Sequence, residues 1–232
     1  MMTVQSNSRE GTTVRTVLAL AIAIAGIAYS SWLLEFLLDT GLNPTNSFLS
    51  ELDARGQPYR ELFSTADTLT GALLVAASLS ALLLLRRRPL TNVGWGALLV
   101  FGGATIADAQ LPIGCIPTLL QPCGSEPSGL FPQLHHVHAL TSTIAVNAIF
   151  VAMIAFSWAA FRYGMLPILR VFGLAVLVIA SLTTAWMLIA DNLPGDYALG
   201  IAQRVQVGAM SIWLVFLGVA VYMTRSQSWA SK

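Results

Sequence analysis

Leu82-Leu83-Leu84-Leu85-Arg86-Arg87-Arg88-Pro89 is the stretch on which the fold turns. A long apolar run stops abruptly at three guanidiniums and a proline. Proline removes a backbone donor and clashes with the preceding turn, and three adjacent cations resist transfer into hydrocarbon, so no helix continues through this point. The run is therefore predicted to end at a membrane surface, and the corner to face the cytoplasm. Outward from it, apolar segments long enough to span a bilayer, which takes about 20 residues, recur. They fall at 16–38, 63–85, 93–111, 135–160, 167–190 and 200–224. The whole composition agrees: 56% of the 232 residues are hydrophobic and only 10% charged, with a mean hydropathy of +0.71, which is bilayer chemistry and not that of a soluble domain. The expected fold is all-α, a polytopic membrane protein with six transmembrane helices in one bundle. The membrane domain spans 16–224, between polar tails at 1–15 and 225–232 that are expected to fray. The first segment reads as a retained helix, because its apolar run outlasts a signal-peptide core and no small-x-small cleavage site follows it.

Orientation follows from the cations, which are retained on the cytoplasmic side. With both termini inside, nine of the twelve Lys and Arg residues are cytoplasmic, leaving Arg55, Arg60 and Arg204 outside. The acidic residues show the reverse pattern. Only Glu10 is inside, while Glu35, Asp39, Glu51, Asp53, Glu61, Asp67, Asp108, Glu126, Asp191 and Asp196 crowd the exoplasmic half. The net charge of +1 hides this asymmetry, and without a basic stripe the chain offers nothing to nucleic acid. The two cysteines, Cys115 and Cys123, share the exoplasmic loop between the third and fourth helices, where a disulfide is favoured over a metal or redox role.

Depth points to a site. Ionisable groups inside hydrocarbon are costly and face a bundle interior, a partner or water. Asp67, Asp108, His138 and Arg204 each lie about one helical turn, roughly 6 Å, inside the exoplasmic surface. Four helices thus present charge at one depth. His135 and His138, spaced i, i+3, share a helical face that Ser142 continues. Neutral imidazoles with Asp108 are a ligand set suited to zinc with an open position for water, so His135, His138 and Asp108 are the candidate metal ligands. A triad-like alternative uses Ser50 or Ser47 as nucleophile, His138 as base and Asp108 to orient it. Neither serine has a glycine-rich elbow around it. Asp67, Arg204, Gln203 and Glu51 are the candidate ligand-binding residues. A structural reading competes, in which Arg204 pairs with Asp191 or Asp108 and glutamines add hydrogen bonds that hold helices together. Asn147 is expected to bond between helices, and Trp32, Trp186, Trp213, Trp229 and Tyr222 to form interfacial belts. In the loop 43–60, Asn43-Pro44-Thr45-Asn46 breaks the backbone and Ser50 to Gly56 resembles a short polar helix, either a connector or a lid.

Ser50-Glu51-Leu52, Ala107-Asp108, the loop Pro112-Ile113-Gly114-Cys115-Ile116-Pro117 with Cys123, the His135 to His138 cluster and Gly200-Ile201-Ala202-Gln203-Arg204 together resemble the bacterial DUF998 family. The cysteine loop and the histidines look like those of actinobacterial members. The resemblance implies a multi-pass protein of the bacterial cytoplasmic membrane and no particular reaction. A looser similarity links the chain to membrane hydrolases such as alkaline ceramidases and adiponectin-receptor-like proteins, which hold zinc in a helical bundle. Those have seven helices and histidines on the last, where this chain has Gln203 and Arg204. Two functions are carried forward. One is a metal-dependent or acid–base hydrolase or transferase acting on a lipid-linked substrate at the exoplasmic leaflet. The other is a non-catalytic transporter, receptor or assembly factor that binds membrane lipid or a small polar ligand.

Overall fold

The computed structural model describes residues 2–114, 137–164, 166–195 and 197–224, with side chains from Thr12 onward. Six helices form the described chain: α1 (Met2–Ala28), α2 (Arg60–Leu84), α3 (Pro89–Gln110), α4 (Val137–Tyr163), α5 (Leu174–Ala190) and α6 (Leu199–Met223). A 3-10 segment, Ser31–Phe36, prolongs α1, and a π turn, Leu169–Gly173, leads into α5. The six stretches long and apolar enough to span a membrane are Thr12–Phe36, Arg60–Leu84, Pro89–Gln110, Val137–Tyr163, Leu169–Ala190 and Leu199–Met223, within a few residues of expectation. The N-terminal residues expected to fray are instead helical from Met2. Cys115, Cys123, His135, Glu126, Asp196 and Trp229 lie outside the described residues.

The bundle runs up and down. Each of α1, α2 and α3 packs on its successor, and α6 returns to lie between α5 and α1. The α4 helix meets α5 and α6 chiefly through the π turn. Lipid offers no hydrophobic drive between helices, so close packing depends on small residues that bring backbones together. A Cβ on Gly71 would stand 2.4 Å from the carbonyl oxygen of Gly102, and one on Gly102 would stand 2.7 Å from that of Gly71. Both positions therefore require glycine. Large side chains fill the centre, where Phe156 packs on Trp95 and Trp213 at centroid separations of 4.9 and 6.1 Å. Trp213 is fully buried, so it belongs to the core and not to an interfacial belt. Several hydroxyls within the spans bond helix carbonyls, as Thr105 does to Phe101 at 2.8 Å, while those of Ser78 and Ser157 have no partner among the described residues.

The two ends differ. At the arginine end, Pro89 starts α3 at a position where its missing donor costs nothing, and Arg88 lies 4.9 Å over the ring of Tyr163. Arg15 ties α1 to the end of α6 by donating to the Thr224 carbonyl at 3.1 Å. The opposite, loop end carries residues 37–59 and the turn after α3. Asn147 does not join helices as expected: it is exposed, and its amide donates to Thr143 of its own helix at 2.8 Å.

Candidate functional site

The loop end is built around the first turn of α6. Gly200 has no Cβ, and one placed there would fall 2.5 Å from the Ser47 carbonyl oxygen and 2.7 Å from that of Pro44, so glycine lets the loop lie directly on the helix. Asn43 starts that loop with a side-chain turn, its Oδ1 accepting from the Thr45 amide at 2.9 Å. Gln203 Oε1 accepts from the Leu49 amide. Arg204 donates from Nη1 to the carbonyls of Ser47 at 2.7 Å and Gly200 at 2.9 Å. Its Nε and Nη2 form a two-pronged pair with Glu35, both at 2.6 Å.

Arg204 is thus committed to Glu35, and not to Asp191 or Asp108 as the sequence suggested. The Glu35 side chain is 0% exposed and that of Arg204 6%, a desolvated pair whose partners need each other. With four donations made inside the chain, Arg204 acts here as a holder of the loop and does not line the cavity below it. Glu51 is likewise used locally, accepting from the Phe48 amide at 3.0 Å to cap the 3-10 turn Leu49–Glu51. That short turn replaces the longer helix expected at Ser50 to Gly56. Gly56, at φ +88°, supplies a left-handed residue within the loop's run of turns. The Arg55 amide donates to the Ile113 carbonyl at 3.0 Å and ties the loop to the turn after α3.

Beneath this roof is a cavity of about 100 Å³. That is below the ~300–1,000 Å³ of sites enclosing a drug-sized ligand and suits a few waters or one small polar group. Ser50 and Asp53 of the roof line it, with Asp67 of α2, Asp108 of α3, His138 and Ser142 of α4, and Gln203 and Gln206 of α6. Tyr29, Trp32 and Phe63 form an aromatic wall. Of the four groups expected at one depth, Asp67, Asp108 and His138 line this cavity and Arg204 does not.

Asp108 is held by α4. The Ser142 hydroxyl is 2.9 Å from both carboxylate oxygens, the Thr141 hydroxyl bonds Oδ1, and His138 Nδ1 stands 3.3 Å from that same oxygen. His138 Nδ1 is also 3.0 Å from the Leu111 carbonyl oxygen. A carbonyl only accepts, so Nδ1 carries the proton, and in the neutral ring Nε2 carries the lone pair. Nε2 is buried and has no hydrogen-bond partner. No hydrogen bond joins Ser50 to His138 among the described residues, so only the Asp108–His138 half of the triad reading is assembled. Ser47 is engaged through its carbonyl with Arg204 and is not a lining residue. No group of three metal-ligating side chains converges among the described residues. Of the expected zinc set, His138 and Asp108 meet, while His135 lies outside the described residues.

Two lining residues with unpartnered buried polar atoms were not expected in the site. Asp53 is 6% exposed and its Oδ1 has no partner. Burial lifts its carboxyl from 3.8 to about 6, His138 and Arg60 opposing the rise and Asp108 adding to it. Trp32, expected in an interfacial belt, lines the cavity with a buried Nε1 that has no acceptor. The signal for Asp53 was its place in the same polar loop as Ser50. Trp32 carried none, because a tryptophan near a helix end suits either position.

Among families of known sequence, the model of one described as a protein of unknown function, DUF998, matches residues 22–220. No curated protein and no solved structure matches the chain.

Proposed function

This chain belongs to the DUF998 family of membrane proteins of unknown function, and on that premise we propose that it is a hydrolase or transferase acting by acid–base catalysis on the polar end of a lipid-borne substrate. The observation that carries the reading is His138: Nδ1 is anchored by the Leu111 carbonyl and Asp108, while Nε2 is buried in the cavity wall without a partner. An imidazole so held is a base with its lone pair free and its tautomer fixed. It removes a proton from a water or an acceptor hydroxyl, which then attacks the substrate. Asp108 stabilises the imidazolium that results. Asp53, lifted to about 6, keeps a useful fraction of its proton near neutrality and supplies it to the leaving group. His138 and Asp53, both in the cavity's lining, thus take the base and acid roles. The cation bias supports the loop end lying at the exoplasmic leaflet, where the headgroups of membrane lipids are at hand.

One observation favours a metal-assisted form of the same chemistry. An imidazole with Nδ1 anchored and Nε2 free is the arrangement of a metal-bound histidine, and zinc held by His138 Nε2 together with His135 would supply an activated water, with Asp108 orienting the ring from Nδ1. Elemental analysis of protein purified without chelator separates the two forms. The test of the reading itself is turnover. Wild type in nanodiscs of mixed phospholipid is expected to release product detectable by mass spectrometry, and His138→Gln to lose it. No turnover, or turnover unchanged in His138→Gln, would overturn the catalytic reading in favour of a non-catalytic transporter, receptor or assembly role for the same cavity.

A further inference from the structure

The cavity is lined by three carboxylates, Asp53, Asp67 and Asp108, and by no lysine or arginine among the described residues. Of the nearby guanidiniums, Arg204 is engaged with Glu35 at 2.6 Å, while Arg60 bonds Glu61 at 2.8 Å and acts on Asp53 only through space. Asp108 has hydroxyl donors in Thr141 and Ser142. Asp67 makes no hydrogen bond among the described residues. Asp53, at 6% exposure, has an Oδ1 with no donor at all. Buried acceptors without donors are costly, and several carboxylates sharing a small space repel one another unless something positive joins them. Around them stand Tyr29, Trp32 and Phe63, whose rings attract cations.

We infer that this cavity binds an ammonium group, the protonated primary amine of a lipid headgroup or of a small free amine. An ammonium presents donors to the carboxylates of the lining, the unpartnered Oδ1 of Asp53 first among them, and a diffuse positive charge to the aromatic wall. Its hydrogen bonds of roughly 2.8 Å tolerate a wider spacing of acceptors than the ~2.0–2.6 Å bonds of a metal ion. That agrees with the lack of any three metal-ligating side chains in convergence among the described residues. A phosphate in the same place would meet the like charge of Asp53, Asp67 and Asp108 with no lysine or arginine among the described lining residues to offset it. The cavity volume, about 100 Å³, accepts an ethanolammonium-sized group. The inference deepens the acid–base reading by naming the ligand, but it rests on the cavity's charge and not on turnover.

The test is thermal unfolding of the full chain in mild detergent at pH 8 and constant ionic strength. Ethanolamine hydrochloride, sodium phosphate and zinc chloride are titrated separately, and nanodiscs of phosphatidylethanolamine are compared with nanodiscs of phosphatidylglycerol. Ethanolamine is expected to raise the melting temperature saturably, with apparent affinity falling on the order of tenfold in Asp53→Asn and again in Asp67→Asn. A further stabilisation specific to phosphatidylethanolamine assigns the amine to a lipid, and an effect of ethanolamine alone assigns it to a free amine. Stabilisation by zinc or phosphate in place of ethanolamine, or an ethanolamine affinity unchanged from wild type in both variants, overturns the inference. Turnover without amine binding would leave the acid–base reading standing and remove this one. Amine binding without turnover would do the opposite.

Discussion

Replacing Asp53 by asparagine isolates the cost of holding a charge under the roof of the cavity. In the unfolded chain the carboxyl titrates near 3.8, and in the folded protein near 6, so the folded state binds its proton more tightly. A carboxyl displaced upward lowers stability progressively as pH rises between those two values, and the loss is complete above the higher one. The displacement corresponds to about 3 kcal/mol at pH 8 and to almost nothing at pH 3.5. Asparagine has nearly the same shape and no charge to desolvate. The variant should therefore be more stable than wild type by up to about 3 kcal/mol at pH 8, with the advantage shrinking as pH falls through 6 towards 4. Burial dominates this balance, with His138 and Arg60 favouring the charge and Asp108 disfavouring it. Denaturant titration in detergent micelles at a series of pH values, followed by tryptophan fluorescence, reads the difference directly. A variant no more stable than wild type at pH 8, or one whose gain does not depend on pH, would refute the burial of an unpartnered carboxylate at this position.

Glu35→Ala strands the Arg204 guanidinium and should destabilise by roughly 3–5 kcal/mol in the same titration; Arg204→Lys should not rescue the fold, because an ammonium cannot match both prongs and two carbonyls. Gly102→Val puts methyl groups where a Cβ alone would stand 2.7 Å from the Gly71 carbonyl oxygen, so it should cost about 1–3 kcal/mol or more by prising α2 from α3. Thr141→Val with Ser142→Ala strips the hydroxyl donors from Asp108, and each loss should cost about 1–3 kcal/mol, accompanied by a changed pH profile of any turnover. A single cysteine at Gln57, in a chain with Cys115 and Cys123 replaced by serine, should react with an impermeant maleimide in intact cells, whereas one at Arg87 should react only after lysis.

The spans were legible because lipid demands long apolar runs and arginines end them, a signal carried by consecutive residues. The depth of Asp67, Asp108 and His138 could be counted along their helices, and counting brought them to one cavity. Asp53 could not be placed this way, since a loop has no regular rise to count. The partner of Arg204 was hidden for a different reason. Glu35 and Arg204 are 169 residues apart, and their meeting depends on α6 returning to the side of α1, an order of helices that no local pattern encodes. Glu35 nevertheless sat in the apolar run from Trp32 to Leu38, where an acid needs a buried partner. Gly200 looked like part of a family signature without a task, and only the loop lying 2.5 Å from its missing Cβ reveals why it is glycine.

The most direct test of the central claim is the tautomer of His138, read from ring-nitrogen chemical shifts of labelled protein in nanodiscs with His135 and His136 replaced by glutamine. The account predicts that the neutral ring carries its proton on Nδ1, donated to the Leu111 carbonyl, and a lone pair on Nε2. A ring with its proton on Nε2 would leave no base facing the cavity and would contradict the proposed chemistry.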